Sequence, residues 1–515
     1  MTNLWVTFST DSSGSFSELS GNIIYNVNNL YNFNGNLLDT SSDFIIYELS
    51  NNPIQANVSL QDSNWKQLNL NTILNPFQGY WLGGINTNLP QIFTSNTRLN
   101  NEVISWIRNP IPVANNYGLI ENWDVGNVTN MNNMFKQTNF NGNISNWDVG
   151  NVTSMSSMFF GASNFNGNIS SWDVGNVTNM DIMFYAASNF NQDLNEWDVG
   201  NVTSMDNMFK KTNFNGNISS WNVENVTNMD NMFLQANNFD GNISSWNVGN
   251  VKRMSSMFRE ASNFNGNISN WDVANVTRMD AMFFMATSFN QDLNEWDVGN
   301  VTSMDSMFSE ATNFNGNISS WNVGNVTNMA FMFNLASNFN QDLNKWNVGN
   351  VTRMESMFSE ATNFNGNISS WIVGNVTAMS GMFYAASNFN GNISSWDVGN
   401  VTSMDSMFLQ ATNFNEDLNE WNVGNVTSMS GMFYAASNFN GNISNWDVGN
   451  VTDMDAMFLN ANSFNQDISN WDVGNVANGN LNEMFKGISF FTDMSNQIHA
   501  NGTPFEYFIS QRNTR

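Results

Sequence analysis

The chain has no cysteine in 515 residues. That excludes disulfides, thiolate metal sites, a cysteine nucleophile and thiol-linked lipid anchors. It has one histidine, His499, so no Ser–His–Asp set can be assembled in the rest of the chain. Lys and Arg number 15 against 43 Asp and Glu, a net charge of −28. Phosphate binding needs clustered cations, so nucleic acid and anionic membrane surfaces are not expected partners. Calcium or a basic partner suits this charge better. No apolar run approaches the roughly 18 residues a membrane helix needs, so no membrane insertion is expected. The opening M-T-N-L-W-V-T-F-S-T-D-S-S-G has neither a basic nor an apolar stretch of the secretory kind, so no secretion signal is expected. No wall-sorting motif is found, and the compartment stays open.

What the chain has is repetition, and repetition is read before secondary structure. Fifteen tryptophans from Trp123 to Trp471 recur every 25 residues, the interval twice shortening to 24. Both short units lose their residue between a Met-Phe pair and the next Phe (Met134 to Phe140, Met208 to Phe214), which marks a loop. The unit reads F-N-G-N-I-S-S-W-D-V-G-N-V-T-N-M-D-x-M-F-x-x-A-x-N. Val401, Met404, Met407, Phe408 and Ala411 lie three and four apart, the stripe of a helix of two to three turns. Thr402 and Asp405, like Thr178 and Asp181, have capping-box spacing, whereas Val251-Lys252 lacks the Thr and should cap weakly. A very short strand is expected at Asn392-Ile393-Ser394, and a turn at Gly399-Asn400.

One strand, one turn and one helix per 25 residues is one coil of a solenoid. A single unit cannot bury enough apolar surface to offset the ordering of its backbone, so the Trp, Phe and Met of each unit are expected to form core columns shared between coils. Residues 1–95 lack the unit and alternate apolar with polar, as in Phe44-Ile45-Ile46-Tyr47 and Trp65 to Leu70, which points to a small all-β domain. Residues 96–119 read as connector and N-terminal cap, 120–487 as the solenoid, and 488–515, with Phe490, Phe491, Phe505, Tyr507 and Phe508, as the C-terminal cap and tail.

The words S-S-W-D-V-G-N-V-T-S-M-D-S-M-F resemble the 25–26-residue repeats of BspA-like leucine-rich-repeat surface proteins, over residues 117 to about 486. The resemblance implies a leucine-rich-repeat-like solenoid and, by association, adhesion or surface recognition. It does not reach the N-terminal domain.

The chemistry-bearing residues repeat with the coil. Asp173, Asp198, Asp272, Asp297, Asp397, Asp447 and Asp472 each follow a Trp, and Ile372 stands there once. Five units replace Gly-Asn by Gln-Asp or Glu-Asp, placing Asp193, Asp292, Asp342, Asp417 and Asp467 where the others hold Asn143, Asn168, Asn217, Asn242, Asn267, Asn317, Asn367, Asn392 and Asn442. On a strand all fourteen would face one side. That side is either a solvated face or a ligand face for a protein or glycan, and the five Asp are weak calcium candidates. No catalytic or cofactor-binding residue is assigned. The expectation is a non-enzymatic interaction or adhesion-type repeat protein with an extended polar, acidic face. The alternatives are a structural or self-assembling spacer and, last, an enzyme in residues 1–95, where no motif places a carboxylate pair.

Overall fold

The computed structural model describes residues 45–46, 54–56, 72–74, 82–83, 92–476, 481 and 483–488. Two compact units divide the chain: residues 1–91 with 108–123, and residues 92–107 with the rest. In the first unit, β1 (Ile45–Ile46) pairs antiparallel with β4 (Leu82–Gly83), and β2 (Ile54–Ala56) with β3 (Thr72–Leu74). The remainder of the expected all-β domain lies outside the described residues, as do His499 and the aromatic tail beyond Ile488. Two helices follow, α1 (Asn96–Arg108) and α2 (Pro110–Tyr117). Proline starts α2, where its missing N–H is not needed. Gly118, at φ +74°, ends it by donating its amide to Ala114 O.

The second unit is a parallel-stacked solenoid. Its coils meet through thirteen successive one-residue parallel bridges, from Asn130–Ser154 to Ser428–Asp453. The first coil has no predecessor, and α1 supplies what one would. Ile92 bridges Asp124, and Asn96 Oδ1 accepts the Thr129 amide at 3.1 Å. In later coils that amide binds the preceding Thr carbonyl, as Thr153 binds Thr129 O. Leu99 and Val103 bury the inner face of α1.

The interior is a set of columns. The repeated Val, Met, Phe, Trp and Ile or Leu, and the Ala of the full-length coils, are almost fully buried. Rings stack along the axis, for example Phe383–Phe408 at 5.6 Å and Trp446–Trp471 at 6.0 Å. Within a coil, Phe408 and Phe414 stack at 4.0 Å. From Trp172 to Trp471 each indole N–H donates to the Ile or Leu carbonyl of the preceding coil, as Trp172 does to Ile144, Trp396 to Ile368 and Trp471 to Ile443. Burial of the ring therefore leaves no polar atom unpaired. Outside the core, Asn400 Nδ2 donates to Gly374 O, Thr402 Oγ1 to Thr377 O, and the Asn390 amide to Asn365 Oδ1, and each pattern recurs coil after coil.

Two expectations are corrected. The segment after N-V-T is not a helix. It is a ribbon of tight turns whose amides alternate in direction. Met404, Ser406, Phe408 and Gln410 donate along the axis to Ser428, Ser430, Met432 and Tyr434. Met407, Leu409 and Ala411 donate locally to Met404, Ser406 and Phe408. An α-helix would spend all these amides within the coil. The ribbon spends half on the next coil and leaves none over. Its geometry needs positive φ at two positions per coil, such as Ser406 (54°) and Gln410 (58°). The capping box fails with the helix: Thr402 belongs to an axial ladder, and the Asp405 amide bonds Ser403 Oγ at 3.4 Å. The strand is displaced too. Pairing occurs at Ser403, and the expected strand Asn392–Ser394 opens a turn instead.

The two shortened loops are where the spacing placed them. In full coils the Ala411 amide bonds Phe408 O and the Phe414 amide bonds Ala411 O. In the short coils a Thr hydroxyl takes over: Thr212 Oγ1 donates to Phe209 O at 2.7 Å and accepts the Phe214 amide. Thr138 repeats this.

Candidate functional site

The outward side chains fall on three columns. The first holds the fourteen Asn and Asp residues at the Gly-Asn or Gln-Asp position. The structure does place them equivalently, though on a turn: Oδ1 accepts the amide two residues on in both Asn168 (Ser170, 3.0 Å) and Asp193 (Asn195, 2.9 Å). Twelve are exposed, and Asn317 and Asn442 are half-exposed. At Asp467 the Ser469 amide and hydroxyl hold the carboxyl below its ordinary value. Asp193, Asp292, Asp342, Asp417 and Asp467 never occupy neighbouring coils, so the fold brings no two of them together. Among the described residues no group of three or more Asp, Glu or His could hold a metal ion.

The Gln-Asp coils also do structural work that the sequence did not reveal. Gln192 Nε2 reaches back to Asn166 O and Oδ1, and Gln291, Gln341 and Gln466 do the same to their predecessors. Leu194 donates its amide forward to Asn217 O, as do Leu293, Leu343 and Leu418 to theirs. Asn195 Oδ1 accepts the Ser220 amide of the next coil. The Gln192, Gln291 and Gln341 coils thus staple both neighbours. The next coil must then begin with glycine, because a Cβ on Gly216, Gly316, Gly366 or Gly441 would lie 1.9–2.1 Å from the preceding Gln or Glu carbonyl oxygen.

The second column follows Trp. Asp148, Asp173 and Asp198 stand exposed on consecutive coils, each Oδ1 accepting the amide two residues on at 3.0–3.1 Å. Asn222 and Asn247 make the same bond where they replace Asp. None of the ion pairs among the described residues involves Asp148, Asp173 or Asp198. Exposed Glu196, Glu295 and Glu420 precede their Trp and add charge beside this column.

The third face is the ribbon, which sequence reasoning missed as a face because it was taken for a helix. The signal was nonetheless present. The Asn-Val-Thr and Met-Phe words barely change, whereas the positions after Thr, between the Mets and after Met-Phe vary from coil to coil. Paired charges lie here: Arg253 with buried Asp230 (Nε–Oδ2 2.6 Å), Arg278 with Asp280 and Arg353 with Glu355. Asp206, between Asp181 and Asp230 in the stack, and Asp305 titrate above the ordinary carboxylate value, chiefly because burial disfavours the charged form.

No helix among the described residues is long and apolar enough to cross a membrane. No curated protein matches the chain. Solved structures similar to it include the TLR13–ssRNA13 complex, at 9% identity and a TM-score of 0.20, covering 64% of this chain and 50% of that one. Another is a leucine-rich-repeat protein of Leptospira interrogans, at 9% identity and a TM-score of 0.18, covering 78% and 93%. The chain thus spans about half the length of the first. A family model described as "Mycoplasma protein of unknown function, DUF285" matches five overlapping stretches, residues 113–215, 204–316, 286–394, 366–451 and 420–510, and the chain belongs to that family.

Proposed function

We propose that the chain is a non-enzymatic recognition protein of the surface or adhesion kind, as its resemblance to BspA-like repeats implies. Its polar, acidic columns would engage a protein or glycan through many weak contacts. The observation that carries this reading is the run of exposed Asp148, Asp173 and Asp198, one per coil and outside every ion pair among the described residues. Equal spacing converts weak single contacts into avidity, since each later contact forms at high effective concentration. The Asn and Asp column from Asn143 to Asp467 belongs to the same recognition surface in this reading.

The test changes charge without touching the fold. Asn already caps the same turn at Asn222 and Asn247, so Asp148→Asn, Asp173→Asn and Asp198→Asn together preserve the backbone. Wild type and variant are compared on a glycan array and on immobilised poly-L-lysine near physiological salt. Retention of the wild type and at least tenfold weaker retention of the variant supports the reading; equal retention removes the acidic column from it. A second reading, a structural spacer, is favoured by the use of every Oδ1 in the column to cap its own turn. Light scattering separates the two, because ordered oligomers of the isolated chain support the spacer.

A further inference from the structure

Three departures from the repeat coincide in one place on the ribbon. The first is the loss of one residue, in the Lys136 and Lys210 coils. The second is an aromatic pair on the two full coils between them: Phe160 and Tyr185 stack at 4.9 Å. The third is charge. Lys136 Nζ lies 5.1 Å from the Phe160 ring centre and Lys210 Nζ 5.3 Å from that of Tyr185. Four adjacent coils thus carry, in one file, ammonium, ring, ring, ammonium. Lys211 stands exposed beside the end of the file.

The fold gains little from this arrangement. Lys211 sits at φ 60° and the β-branched Ile182, half-exposed in the Tyr185 coil, at φ 61°. Side chains of these types are disfavoured there, and the other coils use Gly, Ser, Asn or Ala at the equivalent of Ile182, Phe331 apart. The chain has 43 acidic residues and 15 basic ones, yet Lys136, Lys210 and Lys211 enter no ion pair among the described residues. Two carboxylates of the same ribbon are already hydrogen-bonded: Asp181 accepts Ser204 Oγ and the Asp206 amide, and Asp206 accepts Asn207 Nδ2.

We infer that the strip Lys136–Phe160–Tyr185–Lys210–Lys211 is a docking surface for an acidic polypeptide segment. Both ring faces are already covered, by each other and by the ammonium groups, so flat ligands have no face to stack on. What the strip offers outward is ring edges, which are the positive part of an aromatic quadrupole, and the three ammoniums. Carboxylates on a flexible chain match that, with Ile182 available to an apolar side chain. This surface lies apart from the acidic columns, and each can fail without the other.

The probe is poly-L-glutamate of about 20 residues, titrated into the full chain by calorimetry at low and near-physiological salt. The comparison set is wild type, the triple variant Lys136→Gln/Lys210→Gln/Lys211→Gln, and Lys252→Gln, which removes an exposed cation elsewhere on the same array. Salt-dependent binding that weakens at least tenfold in the triple variant and less than twofold in Lys252→Gln supports the strip. No binding to wild type at low salt overturns it, as does equal binding by the triple variant. Tighter binding of poly(U) than of polyglutamate also overturns it, since that selects a nucleic acid. Thermal melts of the triple variant guard against misreading an unfolded protein. If it melts early, Lys136→Gln alone is read instead, with the same criterion set at twofold.

Discussion

At the scale of single residues, the ribbon explains choices that a helix would not. Phe331 is 40% exposed and sits at φ 58°, a conformation that suits Asn and Gly better than a bulky side chain. Asn133, Asn207 and Asn231 hold the same place in other coils. Phe331→Asn should therefore stabilise the array by about 1 kcal/mol, the usual scale of left-handed strain, read as a higher urea midpoint. Thr212 is buried and both donates and accepts where its coil is one residue short. Thr212→Val should cost about 1–3 kcal/mol for the stranded backbone groups, whereas Thr212→Ser should recover most of it. Asp206 titrates above the ordinary 3.8, so its charged form burdens the folded state at neutral pH, with Asp181 and Asp230 adding repulsion. That burden lifts as pH falls through the raised value and is gone below 3.8. Asp206→Asn, which copies Asn132 of the first coil, should raise stability at pH 7 and change it little at pH 3.5. Urea titrations at the two pH values check this. Asp467 runs the other way: its lowered value contributes stability above 3.8 that is lost as pH falls through that lowered value.

At the scale of one coil, the core was legible in the sequence and the backbone path was not. The columns of Trp123 to Trp471 and the Met-Phe pairs follow from period alone, because large apolar residues that recur in a stack must share its interior. Apolar residues three and four apart were taken for a helix. A ribbon with local bonds three residues long projects side chains at nearly the same interval, and periodicity cannot tell the two apart. The strand was misplaced because one bridge per coil leaves no alternation to detect; Ser403 is flanked by the constant words Asn-Val-Thr and Met. The Gln-Asp coils looked like intermittent charge and act as staples, a role visible only across coils. Staples impose an order: the position after Gln192, Gln291, Gln341 or Glu416 is always glycine in the next coil. Gly366→Ala would drive Cβ to 1.9 Å from Gln341 O, whereas Gly391→Ala meets the preceding carbonyl at 3.8 Å and only a ring edge closer. The first should destabilise the array by at least 2 kcal/mol more than the second in denaturant melts, as a clash with backbone rather than with a side chain demands.

At the scale of the whole molecule, the array divides its labour by face. The turn columns repeat almost unchanged because their polar atoms either cap their own turn or bond the neighbouring coil. The ribbon varies because its outward side chains belong to no ladder that every coil repeats, and most of the cations of the array collect there. This division depends on the axial amide bonds, which make each coil's backbone the partner of the next. Residue-resolved amide hydrogen exchange tests that dependence most directly. The axial donors Met404, Ser406, Phe408 and Gln410 should exchange as slowly as the local donors Met407, Leu409 and Ala411, all through opening of the stack. Axial donors exchanging within seconds while the local donors stay protected would show coils that fold separately, and would contradict the account.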